Sequence, residues 1–281
     1  MGPLHRNADP PGPQATATGM AGRRLLVANF ARRDLKSRYK GSVLGWLWSL
    51  LSPLATLVVY SLVFSVFLKV VPPIAANGKA NFALYLFSGL VPWLLFMGMV
   101  TGSMDWLASV GDLRRKVFFP PEAAVFGSAL ALGVQSAIEA AVLVAGITIF
   151  GALSPTILLF PLVLLCTGLL GLGIGFFVVV ANTHYRDVRY LVGIVLNALF
   201  FLVPIVYTPD LVPERAWGLP VSRMMEFNPL YQLVAAAREV VYLGQWPGVG
   251  RWAAVVGAPL AIFLAGWGYF ARRSMDLSEE M

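Results

Sequence analysis

Apolar residues arrive in this chain as long runs, and polar residues as short interruptions. No charged residue stands between Lys40 and Lys69. Between Ala123 and His184 the only formal charge is Glu139. A helix needs about 20 apolar residues to cross about 30 Å of hydrocarbon. The runs therefore predict six spans, at about 43–68, 82–107, 123–150, 157–181, 190–207 and 252–270. Gly151 to Pro155 supplies the turn between the third and fourth. Gly171 and Gly175 form a GxxxG pair in the fourth, a pattern that favours close helix approach.

The interruptions differ in kind. Before the first span, Val27, Ala31, Leu35 and Tyr39 recur every four residues, with Leu26 and Phe30 alongside, as one helical stripe. Arg24, Arg32, Arg33, Lys36 and Lys40 lie mostly off it. An apolar stripe flanked by Arg and Lys suits an amphipathic helix, 23–40, in the headgroup layer of an anionic leaflet. Ser109 to Glu122 is too polar to cross and too apolar for a linker. A short helix ended by Pro120 and Pro121 fits it. Leu230 to Leu243 reads as a helix too short to span. It suits a segment that dips into the membrane and returns, which requires protein or water over its ends.

Composition fixes the class. Of 281 residues, 58% are hydrophobic and 12% charged, against about a quarter charged in soluble domains. The expected fold is an all-α integral membrane protein. With the N-terminus inside, the inner segments hold 15 of the 21 Lys and Arg and the outer ones six, which supports both termini inside. Residues 1–22 are rich in Pro, Gly, Ala and Thr without an apolar core. They read as a disordered cytoplasmic tail rather than a signal peptide. Residues 276–281 form a short acidic tail. Nothing points to nucleic acid.

Candidate chemistry is sparse. Cys166 is the single cysteine, and His5 and His184 are the only histidines. No HExxH, paired Cys, GxSxG elbow or Walker A sequence appears, so no catalytic residue and no metal site is expected. Glu139 is ionisable inside a span, which makes it a functional candidate. A protonated carboxyl bonded to a neighbouring helix is at least as good a reading. Tyr60, Phe64, Tyr85, Phe96, Phe200, Phe201 and Tyr207 are candidate channel aromatics, with Trp93 beside them. For any single ring, packing or lipid contact is the commoner fate.

Several short motifs stand in order: Arg33-Asp34-Leu35-Lys36, Arg38-Tyr39-Lys40, Ser42, Leu44-Gly45, Trp48 and Pro53. They are followed by Arg115-Lys116-Val117 with Phe119-Pro120, Tyr185-Arg186-Asp187-Val188, Pro204 to Tyr207, and Asn228-Pro229 followed by Arg238. Over residues 23–275 the chain resembles the membrane subunits of ABC-2-type polysaccharide exporters, the permeases for O-antigen, capsule and teichoic acid. It departs from that pattern at Pro121, where a basic residue often stands.

The resemblance implies an interface helix carrying Arg33, Asp34, Lys36, Arg38, Tyr39 and Lys40. It implies a cytoplasmic coupling helix between spans two and three that docks on a separate ATPase through Asp112, Leu113, Arg114, Arg115, Lys116, Val117, Phe118 and Phe119. It further implies re-entrant helices between spans five and six forming an outer gate, with Asn228, Pro229, Tyr231 and Arg238. The implied assembly is a homodimer of permeases with two ATPases in a bacterial plasma membrane. ATP and Mg would sit on the ATPase, and no cofactor in this chain. The implied substrate is a polyprenyl-diphosphate-linked glycan. Alternatives are a drug or small-lipid exporter of the same superfamily, a gradient-driven transporter using Glu139, and a membrane transferase. In a Cys166→Ser background, single cysteines within 109–121 should react only with reagents admitted to the cytoplasmic side. Labelling from outside would reverse the topology.

Overall fold

The computed structural model describes residues 20–39, 41–108, 121–185, 187–216 and 218–273. Within these it is all-helical. Helix α1 is Met20–Tyr39, and α2 is Trp48–Ser61, continued by wide π-type turns over Leu62–Phe67. Helix α3 is Phe82–Ala108, α4 is Pro121–Ile149, and α5 is Phe160–His184, entered through a 3-10 turn at Pro155–Leu159. Helix α6 is Val188–Leu202, and α7 is the short Val221–Glu226. Helix α8 is Pro229–Arg238, continued by Glu239–Leu243, and α9 is Val249–Arg273.

Five of these elements are long and apolar enough to cross a membrane. The expected fifth span corresponds to α6, which has only 15 residues. At 1.5 Å per residue it reaches about 22 Å, short of the hydrocarbon thickness. Its stop is local. Val203 precedes Pro204 and is extended, at φ −92 and ψ 125, because the proline ring disfavours helical backbone at the residue before it. The first spanning helix begins at Trp48. Gly41 and Gly45 ahead of it hold left-handed φ values of 81 and 52, a conformation that glycine tolerates and that interrupts a helix.

Helix α3 is the post around which the rest assembles. In its most apolar window 78% of residues are buried, against 6% for α2. A helix apolar on every side belongs in an interior, and Tyr85, Leu86, Leu90 and Val91 are fully covered. Helices α4, α5 and α8 enclose it. Glycine sets how closely. A Cβ at Gly171 would stand 2.7 Å from the Met99 Cβ, and one at Gly175 would stand 2.9 Å from the Ser103 Oγ. The GxxxG pair therefore faces α3. Gly173, between them, faces α9: its Cβ would meet the Phe263 backbone at 2.7 Å. In return, a Cβ at Gly266 would overlap the Gly173 carbonyl oxygen. Backbones this close gain dispersion contacts that larger side chains would forbid.

Helix α1 packs along α4 in the same chain direction. A Cβ at Gly127 would overlap the Phe30 Cβ and come within 2.9 Å of the Val27 carbonyl oxygen. Ala31, on the apolar stripe, is buried, whereas Arg24, Arg32, Arg33 and Lys36 are exposed.

Gly266→Ala should lower the thermal unfolding midpoint of the purified protein by the equivalent of about 1–3 kcal/mol, since backbone at this contact cannot yield. Gly268→Ala, with open space around it, should leave the midpoint unchanged. Equal tolerance of both would refute the contact.

Candidate functional site

A buried polar cluster lies where α8 meets α3 and the broken end of α6. Asn228 caps α8 by accepting the Leu230 N–H on its side-chain oxygen at 2.9 Å, and Pro229 takes the first helical position. Both residues suit a helix start. One turn after another, Leu230, Leu233, Val234 and Ala237 are buried. This face carries Arg238 into the interior, 5% exposed.

No carboxylate meets the Arg238 guanidinium among the described residues. Its Nη1 donates to the Pro204 carbonyl and its Nη2 to the Ile205 carbonyl, each at 2.6 Å. Its charge lies over the Tyr85 ring, 3.9 Å from the centroid. Nε has no partner. A charge-assisted bond to carbonyl and a ring face both favour the cation. They offset a desolvation cost that would otherwise exclude it. Gly89 supplies the space: a Cβ there would come within 3.0 Å of Nη2. The carbonyls are available because α6 stops before Pro204.

The same end is tied further by groups that the sequence did not single out. The Tyr242 hydroxyl donates to the Pro73 carbonyl at 2.8 Å and accepts the Asn81 N–H at 3.0 Å. The Thr156 hydroxyl donates to the Val240 carbonyl at 2.7 Å. Glu239 pairs with Arg251 at 3.1 Å. Burial raises the Glu239 carboxyl above its ordinary pKa, and Arg251 draws it back. Tyr231 is half-buried on the same helix.

The aromatic candidates divide. Tyr60 stacks on Phe200 at 6.0 Å and meets Phe64 edge-on at 6.3 Å. Trp93 lies 5.4 Å from Phe200 and 6.1 Å from Phe96. Phe201 meets Phe200 at 5.3 Å. These form one ladder across α2, α3 and α6, most of it packed inward, with Phe201 64% exposed at its edge. Tyr85 stands outside the ladder, between Arg238 and Tyr242. Tyr207 donates its hydroxyl to the Phe201 carbonyl at 2.6 Å and so ties the end of α6 to itself.

At the α1 end, Arg38 Nε pairs with Asp34 at 3.0 Å, and its Nη1 donates to the Gln135 side-chain oxygen at 3.3 Å. The Gln135 amide in turn donates to Glu139 at 3.3 Å. Among the described residues Glu139 is thus bonded within its own helix, one turn away, and not to a neighbouring helix. The spacing of Gln135 and Glu139 is the ordinary i,i+4 relation, and that signal was available in the sequence. Arg33 and Lys36 are exposed. The Tyr39 side chain, Lys40 and the whole Asp112 to Phe119 set lie outside the described residues. Asp105 pairs with Arg189 at 2.7 Å, both well exposed.

Known proteins resemble this chain in sequence. The profile of the ABC-2 type transporter family matches residues 26–242. The chain belongs to the ABC-2 type transporter family. Among similar proteins, the O-antigen export system permease protein RfbA of Myxococcus xanthus is 26% identical over 260 residues, spanning 92% of this chain and 96% of that one. RfbA of Klebsiella pneumoniae is 26% identical over 78% of this chain and 81% of its own. The polysialic acid transport protein KpsM of Escherichia coli is 24% identical over 81% and 85% respectively. The ABC-2 match runs from α1 through Tyr242, so the clasp around Arg238 lies inside it.

In this ABC-2 protein, Arg238→Met should leave two buried carbonyls without donors, at about 1–3 kcal/mol each. Arg238→Lys should retain part of that stability. A denaturation midpoint for Arg238→Met equal to wild type would show that the clasp carries no load.

Proposed function

We propose that this chain is the permease subunit of an ATP-driven exporter that moves a polyprenyl-diphosphate-linked cell-surface polysaccharide across a bacterial plasma membrane. The observation that carries this reading is the nearly end-to-end correspondence with an O-antigen export permease. The named activity of a second relative, polysialic acid transport, supports a sugar polymer over a hydrophobic drug. The sequence holds no nucleotide-hydrolysing motif, so force must come from elsewhere. The partner is a pair of separate ATPase subunits that bind ATP and Mg.

On this reading the α1 end faces the cytoplasm, with both termini, and the Arg238 end forms the outer closure. The cytoplasmic element Asp112 to Phe119 docks on the ATPase. The interface helix sets the depth of the permease through Arg33, Asp34, Lys36, Arg38, Tyr39 and Lys40. Asn228, Pro229, Tyr231 and Arg238 serve the outer gate. The substrate passes between two permease copies. The apolar outer face of α2 supports this: only Ser49 and Pro53 of that helix are buried. Leu51, Val58, Val59 and Leu62 stand exposed. A second copy would cover them and turn the ladder of Tyr60, Phe64, Phe200 and Phe201 toward a shared passage, where flat rings can stack on sugar faces.

Alanine replacement across Arg114–Phe119 should abolish substrate-stimulated ATP hydrolysis by the reconstituted complex while leaving the permease folded and membrane-inserted. Full hydrolysis and surface display of the polymer would overturn the proposed coupling.

A further inference from the structure

A cavity of about 210 Å³ lies between α2, α3 and α4, away from the outer clasp. Helix α4 lines it with Gln135, Ser136 and Glu139, and helix α2 with Ser52 and Thr56. Residues of α3 from Leu94 to Gly98 form its apolar wall. The α4 residues fall at the middle of the span Ala123–Ile149, and the α3 residues at the middle of Phe82–Trp106. The cavity is therefore inside the hydrocarbon layer, too deep for a lipid headgroup.

A carboxyl at that depth needs an answering charge. Glu139 is 4% exposed. Among the described residues it accepts one hydrogen bond, from the Gln135 amide at 3.3 Å, and forms no ion pair. Arg38 stands beyond Gln135, on the amide oxygen, and its charge is balanced by Asp34 at 3.0 Å. Ser136 is also 4% exposed, and its hydroxyl has no hydrogen-bond partner. A buried hydroxyl left alone is uncommon. Two polar groups with unmet capacity thus border one space.

The charge decides among the ions that could fill it. A proton would neutralise Glu139 but would leave the Ser136 hydroxyl alone and the cavity unfilled. A divalent ion would leave a net positive charge in hydrocarbon. It would also call for several acidic ligands, and no group of three His, Cys, Asp or Glu gathers among the described residues. A single alkali ion cancels a single carboxylate. Hard cations take oxygen ligands, and the cavity offers the carboxylate and hydroxyls. The Thr56 hydroxyl donates to the Ser52 carbonyl at 3.1 Å and keeps its own lone pairs as acceptors. Potassium exchanges its water for a ring of many fixed oxygens. The protein oxygens here are few, which suits a smaller ion keeping part of its water shell. At about 30 Å³ per water, the cavity has room for both.

We propose that this cavity is a sodium site, in which Glu139 and Ser136 of α4 and Thr56 of α2 hold one partly hydrated ion within the membrane. The ion joins α2 to α4. In its most apolar window only 6% of the α2 span is buried, so a fastening of this kind supplies what packing within the chain does not. The role is separate from the cargo and from the force that moves it.

Thermal unfolding of the purified full-length permease in sodium, potassium or choline chloride, at one pH and ionic strength, tests this. Sodium should raise the wild-type midpoint above that in choline by about 3–6 °C at roughly ten times its Kd, and potassium by much less. The purified protein should also retain radioactive sodium, one ion per chain. Glu139→Gln, which keeps the shape, should abolish both effects, and Ser136→Ala should lower retention severalfold. Equal wild-type midpoints in the three salts would overturn the proposal and leave Glu139 as a protonated acid. Equal effects of sodium and potassium would overturn it as a sodium site. Sodium retention unchanged in either variant would place the ion elsewhere and overturn it as well.

Discussion

A helix that stops inside a membrane protein leaves carbonyls that water cannot reach. Here α6 stops at Leu202, and the orphaned acceptors at Pro204 and Ile205 are taken by one guanidinium, that of Arg238. The remaining features of that end follow from the same constraint. Arg238 must be delivered by a buried face of α8, so α8 packs against α3. The cation must have compensation, so Tyr85 presents its ring. The guanidinium must fit, so position 89 carries no side chain. A short helix that would otherwise be a weak element becomes the fastening of the capped end.

The opposite end is built on a different principle. There α1 lies along α4 with its cations outward, and the contact is held by small residues, Ala31 and Gly127, rather than by buried charge. The Asp34–Arg38–Gln135–Glu139 chain of polar groups connects this peripheral helix to the interior. Each link is longer or more exposed than those around Arg238. An exposed ion pair such as Asp34–Arg38 contributes about 0–1 kcal/mol, so this end is held by close packing more than by charge.

Between the two ends, α3, α5 and α9 are locked by glycine. Lipid tails are as apolar as leucine, so hydrophobicity cannot drive helices together within a bilayer, and close backbone approach does that work instead. Met99 and Ser103 seat against Gly171 and Gly175, while Gly173 seats against α9. One helix thereby serves two neighbours from opposite faces. The sparsely buried α2 carries no comparable packing within the chain. That difference separates the glycine-locked frame from the exposed apolar face of α2.

Hydrophobic run length, by itself, determined that this is an all-helical membrane protein and where the long helices fall. These are properties of composition and period, which the bilayer reads directly. The motif order pointed to the ABC-2 family, and the GxxxG pair pointed to close packing. Which helix meets which glycine was decided only by the tertiary structure, because helical spacing assigns a face and not a neighbour. The same holds for Arg238: the sequence marked it within a helix too short to span, but its acceptors lie more than thirty residues earlier. Tyr242, Thr156 and the cavity beside Glu139 were hidden for that reason too. A hydrogen bond between distant residues leaves no period in the chain, whereas a span leaves one at every turn.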